Sequence, residues 1–468
     1  MDRFIIIGLD CGAPELFFDR YTDHLPNIRE LMAEGVWGPL RSTDPPITVP
    51  AWSAMVTSKD PGQLGFYGFR NRRDHTYANM SLATSNHVRE KTIWNYLSEA
   101  ERSSLLVGVP QTYPPKPLRG MMVSCFLTPS KQSRWTYPST FARRVDEAAG
   151  GSYVFDVDDF RRGDLLDLNR SIVEMTRTRF QTFRHFLKNQ YCFNMVVEIG
   201  LDRMQHRFWR YADAGHPLYD PANPLKDALL DYHVLLDREI GKIVAETDKN
   251  THLMVVSDHG AKPMRGALGI NQFFINEGLL KLKLPVEEPT PLTPEMVEWK
   301  DTLCWGEGGY YGRVFLNIKG REPQGVLPAD QVDAFCRRLR ETLSEIPGPN
   351  GENIGTKVLE PNQIYRETRG FPPDLLVYFG NLDYRSAGLV GLKDIYLLEN
   401  DTGLDDANHA DQGILVWRPA AKITGIKREI YSIYDIAPTV LRSLGLSVPE
   451  DMIGTSLVEE SSSFTGRT

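Results

Sequence analysis

Three carboxylates follow apolar segments of the sequence, and their positions favour joint chemistry. Asp10 follows Ile-Ile-Ile-Gly-Leu, Asp202 follows Val-Val-Glu-Ile-Gly-Leu, and Asp258 follows Leu-Met-Val-Val-Ser. Short apolar runs of this kind are typical of buried parallel strands, and ligands bind beyond the carboxyl ends of such strands. We therefore expect the three carboxylates to meet at one edge of a sheet. Each of them could instead cap the following helix or fix a turn.

Histidines near these carboxylates supply further donors. His206 lies four residues after Asp202, so the two share a helix face if Asp202 opens a helix, and His259 follows Asp258 directly. Crowded carboxylates repel one another unless cations lie between them. Carboxylate and imidazole ligands without thiolate suit Zn²⁺ first and Mn²⁺ second. The alternative for Asp202 and His206 is a surface charge pair.

A sixth donor is expected elsewhere in the chain. Three aspartates and two histidines supply five donors, which are too few to hold two ions well and too many for one. His409 is the best candidate, because it lies in Asp-Asp-Ala-Asn-His-Ala-Asp-Gln-Gly directly before an apolar strand. The other histidines lie in polar loops or on helix faces, where solvated or capping roles are expected.

A candidate nucleophile lies in the stretch Pro-Pro-Ile-Thr-Val-Pro-Ala-Trp-Ser-Ala, which contains Thr48. We expect this extended stretch to turn into a helix at Pro50, since proline is favoured at the first helical position. The Thr48 hydroxyl would then lie at or near a helix N-terminus, where backbone N–H groups and the helix dipole favour an anion. Metal coordination can hold such a hydroxyl as an alkoxide. The alternative is an ordinary threonine at a helix cap.

The composition excludes several classes of protein. The chain has 468 residues, 41% of them hydrophobic and 24% charged, which is ordinary globular usage and excludes disorder and coiled coil. A net charge of −8 without a basic block argues against binding to a nucleic-acid duplex. Five scattered cysteines indicate neither a thiolate zinc cage nor a disulfide framework. Without a signal peptide or a membrane-spanning apolar run, we expect a cytoplasmic protein.

Strands that alternate with helices must position the candidate residues. The apolar runs predicted as strands are 4–9, 104–109, 121–126, 193–199, 252–257, 313–318, 374–379 and 413–417. The alternation predicts an α/β fold in which a doubly wound, mostly parallel sheet is sandwiched between helices. We expect one catalytic domain over residues 1–458, with insertions near 128–162 and 281–312 that cap one edge of the sheet. Residues 459–468 are expected to form a flexible tail.

The order of these motifs resembles that of the alkaline phosphatase superfamily, and more closely its type I phosphodiesterase/nucleotide pyrophosphatase branch. The motifs are the strand before Asp10, Thr48-x-Pro50-Ala51-Trp52, Asp202-x-x-x-His206, Asp258-His259-Gly260 and His409. The likeness extends through Leu25-Pro26-Asn27, Asp60-Pro61-Gly62, the stretch 308–313, the stretch 435–439 and Gly454. It covers nearly the whole chain and implies an alkaline phosphatase-like fold.

The resemblance also implies how the donors are shared between two divalent metal ions bridged by the nucleophile's oxygen. One ion would be held by Asp10, Asp258 and His259 together with the oxygen of Thr48. The other would be held by Asp202, His206 and His409.

From these features we expect a metal-dependent phosphoesterase that acts on a small phosphoester. A phosphodiesterase with a covalent phosphothreonine intermediate at Thr48 is the favoured activity. The alternatives are a phosphomonoesterase or a phosphoglycerate-mutase-like phosphotransferase at the same site, and a catalytically silent metal-binding scaffold. Sulfate esters are not expected, because the sequence at Thr48 lacks the Cys or Ser that sulfatases use.

Residues past the nucleophile are candidates for contact with the substrate. In nucleotide pyrophosphatases, an asparagine some twenty residues after the nucleophile helps to bind the phosphoryl oxygens. The corresponding position here holds Phe69, with Asn71 as the nearest amide, while Arg70 could meet extra phosphate. Trp209, one turn past His206, could line the same cleft. The alternatives are a solvated surface loop and, for Trp209, ordinary packing.

Overall fold

A computed structural model of the chain describes residues 3–158, 160–161, 163–420 and 425–458. The strands in the first half of the chain are β1 (Arg3–Leu9), β2 (Val36–Arg41), β3 (Arg70–Arg72), β4 (Met80–Leu82), β5 (Ser104–Val107), β6 (Gly120–Val123), β7 (Thr136–Tyr137) and β8 (Phe193–Glu198). The predicted tail, residues 459–468, lies outside the described residues.

The strands in the second half are more numerous and mostly shorter. They are β9 (Thr251–Val256), β10 (Gly260–Pro263), β11 (Gly266–Gly269), β12 (Thr290–Pro291), β13 (Cys304–Glu307), β14 (Gly312–Leu316), β15 (Lys357–Leu359), β16 (Leu375–Tyr378), β17 (Tyr384–Ala387), β18 (Leu389–Val390), β19 (Tyr396–Leu397), β20 (Ala407–Ala410), β21 (Gln412–Arg418), β22 (Ile426–Lys427) and β23 (Tyr431–Ser432).

The α-helices vary from single turns to one of 23 residues. They are α1 (Pro26–Ala33), α2 (Thr48–Thr57), α3 (Pro61–Leu64), α4 (Ile93–Glu99), α5 (Phe141–Ala148), α6 (Leu165–Leu187), α7 (Gly200–Ala212), α8 (Ala228–Glu246), α9 (Ile270–Asn276), α10 (Val332–Ser344), α11 (Pro361–Ile364) and α12 (Ile436–Ser443). Within the described residues, no helix is both long and apolar enough to cross a membrane.

The largest sheet has the strand order β22-β2-β21-β9-β1-β8-β5-β6-β7, with β23 paired to β2. Its central strands β9, β1, β8, β5 and β6 are parallel to one another. Strands β21 and β7 run antiparallel to their neighbours. The prediction of a doubly wound, mostly parallel sheet is therefore confirmed.

Side chains of the central strand β1 alternate between two apolar cores. Ile5 and Ile7 pack into a core that contains residues of α1, α6, α7 and α8. Phe4 and Ile6 pack into a second core that contains residues of α2, α4 and α12. Because successive side chains of a strand point to opposite faces, a strand covered on both sides is apolar throughout. Helices thus sandwich the sheet, as predicted.

Two of the predicted strands lie outside the main sheet. The runs 313–318 and 374–379 correspond to β14 and β16, which belong to an antiparallel sheet of order β13-β14-β16-β15. Their assignment to the parallel sheet was wrong, because a short apolar run is buried equally well in either kind of sheet. Here α9 and α10 cover the smaller sheet and form a separate core with it.

The two segments predicted as insertions occupy different places. Residues 128–162 include β7, at one edge of the main sheet, and α5. Residues 281–312 include β12 and β13, which belong to small antiparallel sheets. The description of residues 1–458 as one domain with two caps stays a prediction.

Candidate metal centre and adjoining cavity

Three adjacent strands of the main sheet lead into the candidate site. Asp10 directly follows β1, and Asp258 follows β9 after Ser257. Asp202 lies in the first turn of α7, which begins just past the end of β8. The strand order β9-β1-β8 therefore brings the three carboxylates to one edge of the sheet, and all three are buried.

A two-stranded ribbon brings His409 to the same edge from a distant part of the chain. Strand β10 begins directly after His259 and pairs antiparallel with β20, so that Ala261 lies opposite His409. The His409 and His259 rings stack with their centroids 3.8 Å apart. The Nε2 atom of His409 lies 3.9 Å from Asp202 Oδ1.

Potential ligand atoms gather in two overlapping groups. Within each group, one ligand atom from every residue lies within 4.8 Å of the others. The groups are Asp10, Asp202 and His259, and Cys11, Asp202, His206 and His409. Asp258 adjoins the first group, since its Oδ2 lies 3.2 Å from His259 Nε2. The structure thus brings all six predicted donors together.

Each imidazole of the cluster is held by a hydrogen bond at Nδ1. The partners are oxygen atoms, in the pairs His206 with Asp405 (2.6 Å), His259 with Gly260 (3.0 Å) and His409 with Pro46 (2.8 Å). Because these oxygens accept, Nδ1 of each ring carries a proton, and Nε2 is the nitrogen that faces the cluster. The Nε2 atoms of His206 and His409 are buried without a hydrogen-bond partner among the described residues. Imidazoles oriented in this way are typical of metal ligands.

The carboxylates also present unsatisfied oxygens to the cluster. Asp10 Oδ1 and Asp258 Oδ2 are buried and accept no hydrogen bond within the described part of the chain. Burial raises the pKa of Asp10 well above its usual value, and the charge of Asp202 adds to this shift. Burial and the charge of Asp10 likewise raise the pKa of Asp258. The carboxyl groups therefore repel one another as long as no cation lies between them.

The donor set fits a pair of divalent cations. Buried lone pairs that face one another cost free energy, and a cation bound between them removes that cost. Imidazole and carboxylate donors together suit divalent transition metals. Sequence reasoning missed one further donor, the Sγ of Cys11, which lies in the group with Asp202, His206 and His409. Burial raises the pKa of the Cys11 thiol.

The structure places Thr48 against this cluster. Helix α2 begins at Thr48 itself, two residues before the predicted start at Pro50, because proline is tolerated in a first turn whose N–H groups have no helical partner. The Thr48 hydroxyl is buried, and its Oγ1 lies 3.3 Å from His259 Nε2. The N-terminus of α2 therefore offers backbone N–H groups and the positive end of a helix dipole beside the hydroxyl.

A contact between α2 and β1 fixes the position of Asp10. The Nε1–H of Trp52 donates to Asp10 Oδ2 at 2.8 Å. Gly8 makes room for this indole, because a Cβ at Gly8 would lie 2.4 Å from Trp52 Cη2. The glycine in the apolar strand and the tryptophan of the helix are thus parts of one arrangement.

A cavity of about 410 Å³ opens beside the cluster. Ile47, the residue before Thr48, lines it, as do Phe160 and Arg161 from the first predicted insertion. Residues 308–311, from the second predicted insertion, form part of another wall. The volume is in the range of small-molecule sites in proteins.

Of the four residues predicted to contact the substrate, two line the cavity and two do not. Phe69 and Arg70 line the cavity. Asn71 does not, since its side chain accepts a hydrogen bond from the N–H of Tyr67 at 2.7 Å and donates to a carbonyl of its own loop. Trp209 is buried and absent from the lining. Its Nε1–H donates to a carboxylate one turn farther along the chain, at 3.0 Å.

Sequence reasoning missed a set of arginines around the site. Arg203 directly follows Asp202 and donates to it at 2.5 Å. Arg161 and Arg385 both form ion pairs with Asp405, the carboxylate that accepts from His206. A basic residue next to a predicted ligand was a usable signal for Arg203, whereas no sequence motif surrounds Arg161 or Arg385.

Comparison with solved structures supports an alkaline phosphatase-like fold. Human ectonucleotide pyrophosphatase/phosphodiesterase 5 matches with a TM-score of 0.56 and 12% identity, over 97% of this chain and 97% of that one. The murine protein, solved as an inactive variant in complex with AMP, matches with a TM-score of 0.55, 12% identity and the same coverage of both chains.

Comparison of the amino-acid sequence with family models identifies the family to which the chain belongs. No curated protein sequence matches the chain significantly. A family model for type I phosphodiesterase/nucleotide pyrophosphatase matches residues 4–405, which is most of the chain and includes Thr48 and five of the six donors. The chain therefore belongs to the type I phosphodiesterase/nucleotide pyrophosphatase family, whose members depend on metal ions, and is a hydrolase of phosphoester bonds.

Proposed function

We propose that the chain hydrolyses a small phosphodiester with Thr48 as the nucleophile. The observation that carries this proposal is the position of the Thr48 hydroxyl, at a helix N-terminus and 3.3 Å from His259 Nε2. The inactive alternative, a metal-binding scaffold, would have no need of a hydroxyl at this point.

In the proposed site, Asp10, Asp258 and His259 hold one divalent ion, and Asp202, His206 and His409 hold the other. When bound, such ions polarise phosphoryl oxygens and lower the pKa of a hydroxyl that they contact. We propose Zn²⁺ as the native metal and Mn²⁺ as the second choice, because imidazole makes up half of the donor set.

The reaction that we propose consists of two displacements at phosphorus. Thr48 Oγ1 attacks phosphorus in line as the ester P–O bond breaks. The Thr48 proton ends on the alcohol or phenol that leaves, and a covalent phosphothreonine remains. Water then attacks the same phosphorus from the opposite side and releases Thr48 and a phosphomonoester. Two inversions leave the configuration at phosphorus retained. The N–H groups at the start of α2 stabilise charge on the phosphoryl oxygens.

A phosphomonoesterase or mutase-like phosphotransferase remains the rival activity. Its support is Arg203, which donates to Asp202 and adds positive charge beside the cluster. A dianionic monoester needs more positive charge at its terminal oxygens than a diester does. The family favours the diester, and a substrate comparison decides between the two.

The test measures bis-p-nitrophenyl phosphate and p-nitrophenyl phosphate hydrolysis by protein of known metal content. We expect faster diester hydrolysis, and a loss of about a thousandfold or more in Thr48→Ala, corresponding to several kcal/mol of transition-state stabilisation. Thr57→Ala, a buried threonine at the other end of α2, is the matched control and should retain activity. Faster monoester hydrolysis would refute the diesterase, and full activity without Thr48 would refute the nucleophile.

Nucleotides belong on the same substrate panel, because a murine protein of this fold has been solved with AMP. Phe69 stands where the family's phosphoryl-binding asparagine is expected, which argues against a nucleotide as the preferred substrate. The proposal also includes a cytoplasmic location, which the odd number of scattered cysteines favours. Fractionation of cells that express the tagged chain tests that location.

A further inference from the structure

The cavity beside the metal centre is lined by an unusual number of cationic side chains. The arginines in its wall are Arg70, Arg161, Arg203, Arg313 and Arg385. We infer that this cavity binds a second anionic group of the substrate, a phosphate or a carboxylate, in addition to the phosphodiester that is cleaved. The inference rests on the proposed function and specifies its substrate class.

The carboxylates near these arginines do not balance their charge. Arg161 and Arg385 both pair with Asp405, which at the same time accepts a hydrogen bond from His206. Arg203 pairs with Asp156 at 2.6 Å, while its other partner, Asp202, is a proposed metal ligand. If Asp202 binds metal, only Asp156 and Asp405 remain to balance the charge of the three arginines. Asp405 also accepts a hydrogen bond from His206.

Two of these guanidinium groups also have an unsatisfied donor. The Nε atoms of Arg161 and Arg385 are buried and make no hydrogen bond with the described residues. The Arg385 side chain is only 4% exposed, so water from the bulk does not compensate. A buried donor without an acceptor costs free energy, and an oxyanion in the cavity would supply the acceptor.

Aromatic rings hold the guanidinium groups in place. The guanidinium carbons of Arg161 and Arg203 each lie 4.4 Å from the centroid of the Phe160 ring. Arg385 lies 4.1 Å from the centroid of Tyr310, whose other face stacks on His409 at 3.8 Å. Groups that are already positioned lose little conformational entropy when a ligand binds. These arginines, here called the cationic wall, are therefore preorganised to bind an anion, and Tyr310 connects them to the metal centre.

Arg70 and Arg313 add to the positive charge of the cavity wall. The Arg70 side chain is exposed and forms no ion pair with a described residue, and Arg313 lies 3.7 Å from Glu307. Guanidinium forks match the paired oxygens of a carboxylate or a phosphate. A neutral or cationic group would leave this charge, most of it on buried or half-buried side chains, without a counter-charge.

The test uses a series of diesters that differ in one group. Each compound is an aryl p-nitrophenyl phosphate whose aryl ring is unsubstituted or carries a 4-carboxylate, a 4-phosphonate or a 4-trimethylammonium group. Release of both phenols is followed, so that either orientation of the diester is counted. We expect kcat/KM for an anionic compound to exceed that for the unsubstituted one by about tenfold or more, since hydrogen bonds to charged groups have this magnitude. The two anionic arms distinguish a carboxylate from a phosphate-type group.

Variants of the wall show whether the preference arises in this cavity. In Arg70→Gln and Arg161→Gln, the ratio of kcat/KM between the anionic and the unsubstituted diester should fall by about tenfold. Arg73→Gln is the matched control, because Arg73 is exposed directly after β3, the strand that contains Arg70, and does not line the cavity. The ratio should be unchanged in that control.

The outcomes separate this inference from the proposed function. Equal or slower hydrolysis of both anionic diesters, or an unchanged ratio in both wall variants, would overturn the anionic subsite while leaving the diesterase intact. Failure to hydrolyse any diester of the series would refute the proposed function and this inference with it.

Discussion

At the scale of single residues, the hydrogen bond at each Nδ1 decides what an imidazole of the cluster can bind. For His259 and His409 the acceptor is a backbone carbonyl, but for His206 the nearest acceptor is the carboxylate of Asp405, at 2.6 Å. A carboxylate makes the imidazole more basic and a better ligand than a carbonyl does. Asp405 is thus the positioning residue on which His206 depends most.

We therefore expect Asp405→Asn to weaken metal binding at the Asp202, His206 and His409 group. The amide still accepts a hydrogen bond but has no charge, so affinity should fall by about 10- to 100-fold. The measurement is competition with a chelator of known affinity, followed by metal analysis. Asp401→Asn, an exposed residue in the same segment, is the control. Equal affinity in Asp405→Asn and the unmodified protein would contradict this role.

At the scale of elements, the packing of α2 on β1 sets the distance between the proposed nucleophile and a proposed ligand. Trp52 is fully buried and joins the helix to Asp10 by a hydrogen bond. The close approach depends on the missing side chain of Gly8, because a Cβ there would lie 2.4 Å from Trp52 Cη2 and 2.9 Å from Val197 Cγ2. A larger residue at Gly8 must displace the indole or strain the sheet.

We expect Gly8→Ala to destabilise the protein and to disturb the Asp10 carboxylate. Overpacking of this kind costs about 1–3 kcal/mol of the free energy of unfolding. Chemical denaturation measures the loss, and metal titration of the folded variant measures the effect on Asp10. Gly215→Ala is the control, because the nearest atom to its Cβ position lies at an ordinary 3.4 Å. Unchanged stability of Gly8→Ala would show that the packing of Trp52 on Gly8 tolerates an added methyl group.

Helix α8 carries a buried histidine away from the site that should make stability depend on pH. Burial lowers the pKa of His233 from 6.5 to about 4, although its hydrogen bond to the Leu229 carbonyl opposes the shift. The unfolded state binds this proton at higher pH than the folded state does. Stability is therefore complete above about pH 6.5 and declines as the pH falls toward 4, by up to about 3 kcal/mol.

The variant His233→Phe should lose less stability between pH 7 and pH 4.5 than the unmodified protein. Phenylalanine suits the position, because Phe17 and Tyr21 already pack against the ring. Urea denaturation of both proteins at the two pH values measures the difference. Parallel losses in the two proteins would mean that His233 does not contribute to the acid sensitivity.

At the scale of the whole molecule, the features of the fold and the site that local sequence patterns determine were predictable. Asp10, Asp202 and Asp258 follow apolar runs, and the rule that parallel strands end at one edge brings them together. His409 was inferred from a count of donors, and the ribbon of β10 and β20 places it beside the others. The convergence of these side chains was predictable, while their role as ligands stays a prediction.

The features that local sequence does not predict depend on packing between distant segments. The sequences of β14 and β16 do not indicate to which sheet these strands belong, because burial requires the same apolar residues in a parallel and in an antiparallel sheet. The sequence predicts Asn71 as a substrate contact, but in the structure its side-chain oxygen accepts a hydrogen bond from the N–H of Tyr67. Arg161 lies between α5 and α6, and Arg385 lies in the short strand β17. Local sequence does not determine that these two distant segments meet at the cavity.

The central claim is that remote segments of the chain converge to hold two divalent ions beside Thr48. The most direct test is anomalous diffraction from crystals of the zinc-loaded protein. We expect two peaks at about 2.0–2.3 Å from their ligands. One should adjoin Asp10, Asp258 and His259, and the other Asp202, His206 and His409. A single peak, or peaks outside these two groups, would contradict the account.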